Sequence, residues 1–279
     1  MEEVRGLKSK ELYPGIFSRH AVAYQRRLDE VMARGEARGR QRVIDVVEAR
    51  SGMRILDLAC GPGNMTRPLA ARVAPSGEVV GVDLAPGMIE LARSAGIQNA
   101  RFEVMDIEAL AFPDGTFDAA ICGHGLQFVP DLPRALGEAR RVLKDSGRLV
   151  ASVPGAPVKD SVRALIDDVI ERWLPAAPRV ADDQTTRATV GDPDALRQAA
   201  IDAGFADARV EQVEEDVRWD SAEHLVSMLM SWWDCACRLE AVAADRREAF
   251  RKDALAAVKL EHPGAMTMTG RNLVLVAQK

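Results

Sequence analysis

At 279 residues the chain can bury a full α/β core with room for an added cap, and 47% hydrophobic against 28% charged residues excludes a disordered chain. A formal net charge of -5 without a long basic stripe argues against nucleic acid as a partner, no apolar run approaches the roughly 20 residues that span a bilayer, and the opening Met1-Glu-Glu-Val-Arg-Gly-Leu-Lys8 lacks the apolar centre of a signal peptide. The expectation is one cytoplasmic domain over residues 1–279, with a homodimer left open.

Residues 20–49 read as helix, with Val22, Leu28, Val31, Val43, Ile44 and Val47 supplying apolar faces and Gly35 and Gly39 marking a break. Such a segment packs on a sheet edge, closes over a ligand, or does both; its Arg38-Gly-Arg-Gln-Arg42 patch reads as a solvated helix face. Then comes Arg54-Ile-Leu-Asp-Leu-Ala-Cys-Gly-Pro-Gly-Asn-Met-Thr66, answered by Val79-Val-Gly-Val-Asp83. Ile55, Leu56 and Leu58 suit a parallel strand buried on both faces, and Gly61 and Gly63 permit a tight turn and close approach of backbone to a ligand. Asn64 reads as the N-cap of a helix that begins by Thr66 and aims free N–H groups at whatever the loop holds, with Pro68 tolerated in its first turn. Asp83 follows Gly63 by 20 residues and ends the second strand, where a carboxylate accepts two ribose hydroxyls. A dinucleotide loop wants a third glycine, and Thr66 stands in its place. Asp57 beside the loop suits a cationic ligand better than a pyrophosphate, which it would repel.

Met105-Asp-Ile-Glu-Ala-Leu-Ala-Phe-Pro-Asp-Gly-Thr-Phe-Asp118 follows, then Ala119-Ala-Ile-Cys-Gly-His-Gly-Leu-Gln-Phe128, a helical Asp131–Lys144 and a strand over Gly147–Val153. In this order and spacing, residues 50–153 resemble the class I S-adenosylmethionine (SAM) dependent methyltransferases, most closely the branch that includes ubiquinone and menaquinone methyltransferases and many natural-product methyltransferases. The loop is similar to that family's D/E-x-G-x-G-x-G, with Ala59 at the first glycine, a replacement read as mild; Leu143-Lys-Asp-Ser-Gly147 departs from its L-K-P-G-G turn. The resemblance implies a Rossmann-like seven-stranded sheet in the order 3-2-1-4-5-7-6, last strand antiparallel, with helices on both faces and SAM at the carboxyl ends of the first strands. It implies Asp57, Ala59, Gly61 and Gly63 around the methionine end of the cofactor, Asp83 on the ribose, Asp106 accepting from the adenine amino group, and Ile107 over the ring. Leu84 and Met88 would pack beside that ring or belong to the core at a strand end and helix start, and Cys122 would offer its backbone.

Residues 158–173 read as another helix, and Pro175–Asp194 as a turn-rich stretch long enough to cover a substrate. Asp192-Pro193 caps a helix to Ala203, Gly204 stops it, Ala208–Val217 alternates as a strand, two or three helices fill 221–261, and Asn272–Ala277 closes the chain as a buried strand. Residues 154–190 and 219–268 thereby form a helical cap above the core. It is rich in Trp173, Trp219, Met228, Met230, Trp232, Trp233, Met266 and Met268, most of them core and some lining a cavity suited to an apolar or aromatic small molecule.

Methyl transfer from SAM to such a molecule asks for alignment and few catalytic groups. Of His20, His124, His224 and His262, only His124 sits in a motif segment, at the Cys122-Gly-His-Gly125 turn; it is the candidate general base, or else a wall of the pocket. No metal site is expected, because Cys235 and Cys237 form a C-x-C without a second pair, and these two, Cys60 and Cys122 all read as reduced. Two other classes share the motifs: a protein that keeps SAM as a scaffold for another reaction or for binding alone, and an NAD-linked oxidoreductase. The latter would share Asp83 but should carry the complete dinucleotide loop.

Overall fold

The computed structural model describes residues 8–158, 161–178, 180 and 186–279. Seven strands, β1 (Arg54–Leu58), β2 (Glu78–Asp83), β3 (Ala100–Val104), β4 (Phe117–Gly123), β5 (Leu143–Pro154), β6 (Asp207–Trp219) and β7 (Met266–Gln278), form one sheet in the order β3-β2-β1-β4-β5-β7-β6. The first five are parallel, and β7 runs antiparallel to both its neighbours. This is the expected Rossmann-like order with its reversed last strand.

The core explains why β1 is apolar almost throughout. Leu56 and Leu58 join Val80, Val82, Ala120 and Leu149 in one cluster, while Ile55 joins Val79, Ile121 and Val150 in another. Alternate residues leave opposite faces of a strand, so a strand covered on both sides has no solvent-facing position. Helices α6 (Leu132–Val142) and α9 (Pro193–Asp202) cover the first face; α3 (Arg38–Val46) and α4 (Thr66–Val73) cover the second. Helix α5 (Pro86–Ser94) packs Ile89 and Ala92 against Cys60 and Phe102. Full burial of one such aliphatic side chain is worth roughly 1.5–3 kcal/mol, so the polar Asp57 within β1 stands out as a position with another purpose.

The helical segment expected at 20–49 is α2 (Ala21–Ala33) and α3, broken at Gly35 in the left-handed region (φ 69°). Gly39 lies inside α3 and marks no break. Asn272 packs against it so closely that a Cβ there would meet Asn272 Cγ at 2.8 Å. Helix α1 (Ser9–Arg19) was not expected, since Pro14 and Gly15 in its middle conceal it. It holds to α5 by a close backbone approach: Gly87 N–H donates to Ser18 Oγ at 3.1 Å, and a Cβ on Gly87 would stand 2.7 Å from the Ser18 carbonyl oxygen.

Strand β7 begins at Met266, six positions before the expected Asn272. It pairs with β6 from Asp207↔Gln278 to Trp219↔Met266, whereas β5 leaves it at Pro154↔Asn272. The overhanging ends carry Val217, Trp219, Met266 and Met268 into a separate apolar cluster around the fully buried Phe250, with α7 (Ser161–Trp173), α10 (Ala222–Leu229), α11 (Trp233–Glu240) and α12 (Ala244–Glu261). Every Trp and Met assigned to the cap packs in this cluster except Trp233. The turn-rich stretch expected at 175–194 lies partly outside the described residues; within it runs the short α8 (Arg187–Gly191). Asp192 caps α9 as expected, accepting the Ala195 N–H at 2.8 Å. Among the described residues no helix is long and apolar enough to cross a membrane.

Candidate active site

Three residues in the turn after β1 adopt left-handed torsions: Ala59 (φ 52°), Gly61 (φ 54°) and Gly63 (φ 83°). Glycine does so freely, but for other residues the conformation costs roughly 1–2 kcal/mol. Ala59 is therefore not the mild replacement expected. Its methyl group fits, in the room left by Gly125, while its backbone is strained. Asn64 does not cap α4: the N-cap is Met65, without a side-chain bond, and Asn64 Nδ2 instead donates to Asp29 Oδ1 of α2 at 2.6 Å.

Asp83 closes the turn from the end of β2. Its Oδ2 accepts the Gly61 N–H at 2.9 Å and its Oδ1 accepts the Ala85 N–H at 2.8 Å, which leaves each oxygen a further lone pair. Burial pushes its pKa up against the pull of those two donors. Asp57 is more deeply enclosed, at 1% exposure, and its Oδ2 accepts from Thr66 Oγ1 at 2.6 Å. Burial, helped by the Asp83 charge and opposed by the Thr66 bond, pushes Asp57 up to about 7.

A cavity of about 290 Å³ opens where β1, β2, β3 and β4 end. Of the residues expected at the site, Ala59, Gly61, Asp83, Leu84, Met88, Asp106, Ile107 and His124 line it. Asp57, Gly63 and Cys122 do not. Asp57 stands behind the turn and ties β1 to α4; the open side of Gly63 faces Ile97 and Phe102; the Cys122 side chain belongs to the sheet core, where burial pushes the thiol up to about 12. Asp106 already has a partner. Lys10 of α1 pairs with its Oδ2 at 2.6 Å and also with Glu108, and Asp106 Oδ1 accepts the Glu108 N–H at 2.9 Å.

His124 follows β4 directly, in a left-handed conformation (φ 61°). Its N–H donates to the Ser152 carbonyl at 2.8 Å, and its Nε2 lies 2.7 Å from Asn272 Oδ1 on β7. Burial, with the charges of Arg40 and Arg27 adding to it and the Asn272 bond opposing, holds the imidazole well below its usual pKa. The ring is thus neutral at neutral pH. The tautomer follows the Asn272 amide: with its Oδ1 facing Nε2 the proton sits on Nε2, and with its Nδ2 there, an atom otherwise without a partner among the described residues, the proton sits on Nδ1.

That residues 20–49 close over a ligand was one of the expectations, but the residues that form the wall were missed: Lys10, Tyr13 and Phe17 from α1, Tyr24 and Arg27 from α2, and Arg40 from α3. Tyr13 and Phe17 pack their rings against Phe128 and Trp233, with centroids 4.8–6.4 Å apart. The signal available was the spacing, Tyr13 to Phe17 at i,i+4 and Tyr24 to Arg27 at i,i+3, which sets each pair on one helix face.

Residues 56–151 match the family described as a methyltransferase domain. Nocamycin O-methyltransferase from Saccharothrix syringae is 32% identical over 75% of this chain and 79% of its own length. The ubiquinone/menaquinone biosynthesis C-methyltransferase UbiE of a Shewanella species is 32% identical over 71% of this chain and 84% of its own length. The chain belongs to the class I SAM-dependent methyltransferases. This methyltransferase is also 38% identical, over 64% of its length, to an uncharacterized 37.1 kDa protein in transposon TN4556 of Streptomyces fradiae, where it spans only 51% of the relative. In fold it is similar to the YcgJ protein from Bacillus subtilis, with a TM-score of 0.55 and 18% identity over 87% of this chain and 98% of that one. It is likewise similar to phosphoethanolamine N-methyltransferase 2 of Haemonchus contortus, with a TM-score of 0.53 and 16% identity over 86% and 52%.

SAM is the cofactor of this family, and the residues present fit it. Asp83 keeps lone pairs free beyond its two backbone donors, as ribose hydroxyls require, and Leu84, Met88 and Ile107 give an apolar edge beside it. Asp57, buried behind the turn, adds a negative field that favours a positively charged ligand where it is ionised, above its raised pKa.

Proposed function

We propose that this methyltransferase acts on a small apolar or aromatic molecule held between the SAM-binding core, residues 50–153, and a cover formed by α1, residues 20–49, 154–190 and 219–268. The observation that carries the reading is the sharing of one cavity by two unlike halves: the Asp83-braced glycine turn, suited to a nucleoside, and the aromatic wall of Tyr13, Phe17, Phe128 and Trp233 beside His124. SAM, when bound, would supply a methyl group on a sulfonium: an electron pair of the acceptor's O, N or C atom would take the methyl carbon in line as the S–C bond breaks, S-adenosylhomocysteine (SAH) would leave, and the acceptor's proton would pass to solvent or to a nearby base.

The chain's own part is position and exclusion of water. Asp83 accepts the ribose hydroxyls; Ala59 and the turn from Gly61 to Gly63 shape the methionine end; Leu84, Met88 and Ile107 pack on the adenine ring. Asp106 takes the adenine amino group by exchanging it for Lys10. His124, neutral and fixed by Asn272, orients the acceptor through the ring nitrogen that Asn272 leaves free and receives a proton only from an acidic one. The compartment proposed for the reaction is the cytoplasm, with which the four free cysteines are compatible. The test is incubation of labelled SAM with a panel of phenols, quinols and amines, read as labelled product and SAH. Tight SAM binding with no SAH from any member of a broad panel would remove methyl transfer from the reading and leave SAM as a scaffold.

A further inference from the structure

Charge is divided unevenly across the cavity. Its acids lie at the sheet end, Asp83 bonded to backbone N–H groups and Asp106 to Lys10. In the opposite wall stand Arg27 and Arg40, and among the described residues neither has a carboxylate within ion-pair distance. Arg40 Nη2 donates to the Tyr24 hydroxyl at 3.2 Å, and the Arg27 guanidinium lies over the rings of Tyr24 and Trp232, 5.6 and 5.8 Å from their centroids. The contrast within the same chain is Arg238, 5% exposed, which meets Glu171 at 2.9 Å.

A guanidinium does not shed its charge under ordinary conditions, and enclosing one without a counter-ion is costly. Burial draws Arg27 down to about 10, with the charge of Arg40 adding to it and that of Tyr24 opposing. A wall that keeps two such cations is built for anions that arrive with the ligands. SAM brings one carboxylate. Arg40 is nearer the methionine end: a Cβ on Gly123 would lie 3.7 Å from its Nε, and its partner Tyr24 comes within 4.0 Å of where a Cβ on Gly61 would stand. Arg27 lies about one turn further along α2, against Trp232 in the connection between α10 and α11, on the side of the cover.

We infer that the methyl acceptor carries a carboxylate bound by Arg27, on an aromatic or apolar body packed against Tyr13, Phe17, Phe128 and Trp233, while Arg40 takes the carboxylate of the methionine. The inference rests on the methyltransferase reading and narrows its acceptor class.

The test loads the chain with SAH and titrates in 2-naphthoate and 2-naphthamide, which are close in shape and differ in charge, by calorimetry. The parent should bind the acid about tenfold tighter than the amide or better, as a charge-assisted bidentate contact implies. Arg27→Met should erase that preference and leave SAH affinity within about twofold, and Arg27→Lys should keep part of the preference. Arg40→Met should weaken SAH about tenfold or more and keep the preference of the remaining complex. Equal binding of the two probes by the parent, or binding of neither, overturns the inference. So does an Arg27→Met variant that loses SAH instead, because both arginines would then serve the cofactor. Failure of the parent to bind SAH is a different result, and it strikes the methyltransferase reading itself.

Discussion

Asp57→Asn separates the cost of the buried acid from its use. Its carboxyl is held at about 7 against an ordinary 3.8, at a position 1% exposed. Because the folded state binds this proton more tightly than the unfolded one, the stabilisation is present in full below 3.8 and is lost as pH rises through about 7. Between about pH 5 and pH 8.5 the loss is about 3 kcal/mol, at 1.36 kcal/mol per unit. Asparagine has the same shape, its oxygen can accept from Thr66 Oγ1, and whatever its amide costs is the same at both pH values. Relative to the parent, the variant should therefore gain about 3 kcal/mol across that window, or roughly 5–10 °C in Tm for a chain of this size. Urea unfolding and thermal melts of both chains at the two pH values, without SAM, measure it. Parallel pH profiles for parent and variant would refute the reasoning, since they would mean that Asp57 keeps an ordinary carboxylate pKa despite its burial.

Asp83→Ala strands the part-buried Gly61 and Ala85 N–H groups, at a cost of about 1 kcal/mol each, so calorimetry with SAH should show a loss of affinity accompanied by a lower Tm, whereas Asp83→Asn keeps one acceptor and should lose less of both. Lys10→Met releases Asp106 from a half-exposed ion pair worth about 1 kcal/mol or less; SAH should bind a few-fold tighter, and weaker binding would show that Lys10 itself holds the cofactor. Ala59→Gly removes the left-handed strain and should raise stability by about 1 kcal/mol in urea unfolding; an unchanged midpoint would mean that the lost methyl contact offsets it. Because burial and the two arginines keep His124 neutral, the rate of methyl transfer should show no inflection near its ordinary pKa, and His124→Ala should shift no inflection between pH 6 and 8; an inflection that vanishes in the variant would make His124 a titrating base.

What the sequence announces, it announces where a ligand constrains the backbone. The glycine turn, the acid ending β2 and the apolar runs of β1 and β2 are local patterns with one structural outcome, and all are found where their spacing puts them. Legibility fails for Asp57, because a motif tells that an acid is wanted near the turn but not which way it faces. The strand alternation that sends Ile55 toward α4 sends Asp57 there too, into the reach of Thr66. It fails for Gly39, read as a break, because the reason for that glycine is Asn272, distant in sequence and arriving from β7. It fails for α1 as well: the helix carries Pro14 and Gly15, has little intrinsic tendency to form, and owes its place to docking on Gly87 and on the Phe128 and Trp233 rings.

The same division runs through the site and bears on how such chains diversify. Groups suited to SAM come from turns at the strand ends, where the sheet fixes the backbone and a change is felt across the core. Arg27 and two of the four rings assigned to the acceptor, Tyr13 and Phe17, come from α1 and α2, while Arg40 of α3 faces the methionine end. Helices α1 and α2 cover α5 and the cavity mouth and contribute little to the two clusters that flank the sheet, so their inward side chains can change without unpacking it. Exchange of residues 8–33 for those of a relative should therefore move acceptor preference further than exchange of the Trp and Met residues of the C-terminal cover, which are already spent on a core of their own. SAH affinity should stay close to the parent's provided Arg40 and Tyr24 are retained. A swap of 8–33 that leaves preference in place, while the cap swap moves it, would return the acceptor to the C-terminal cover.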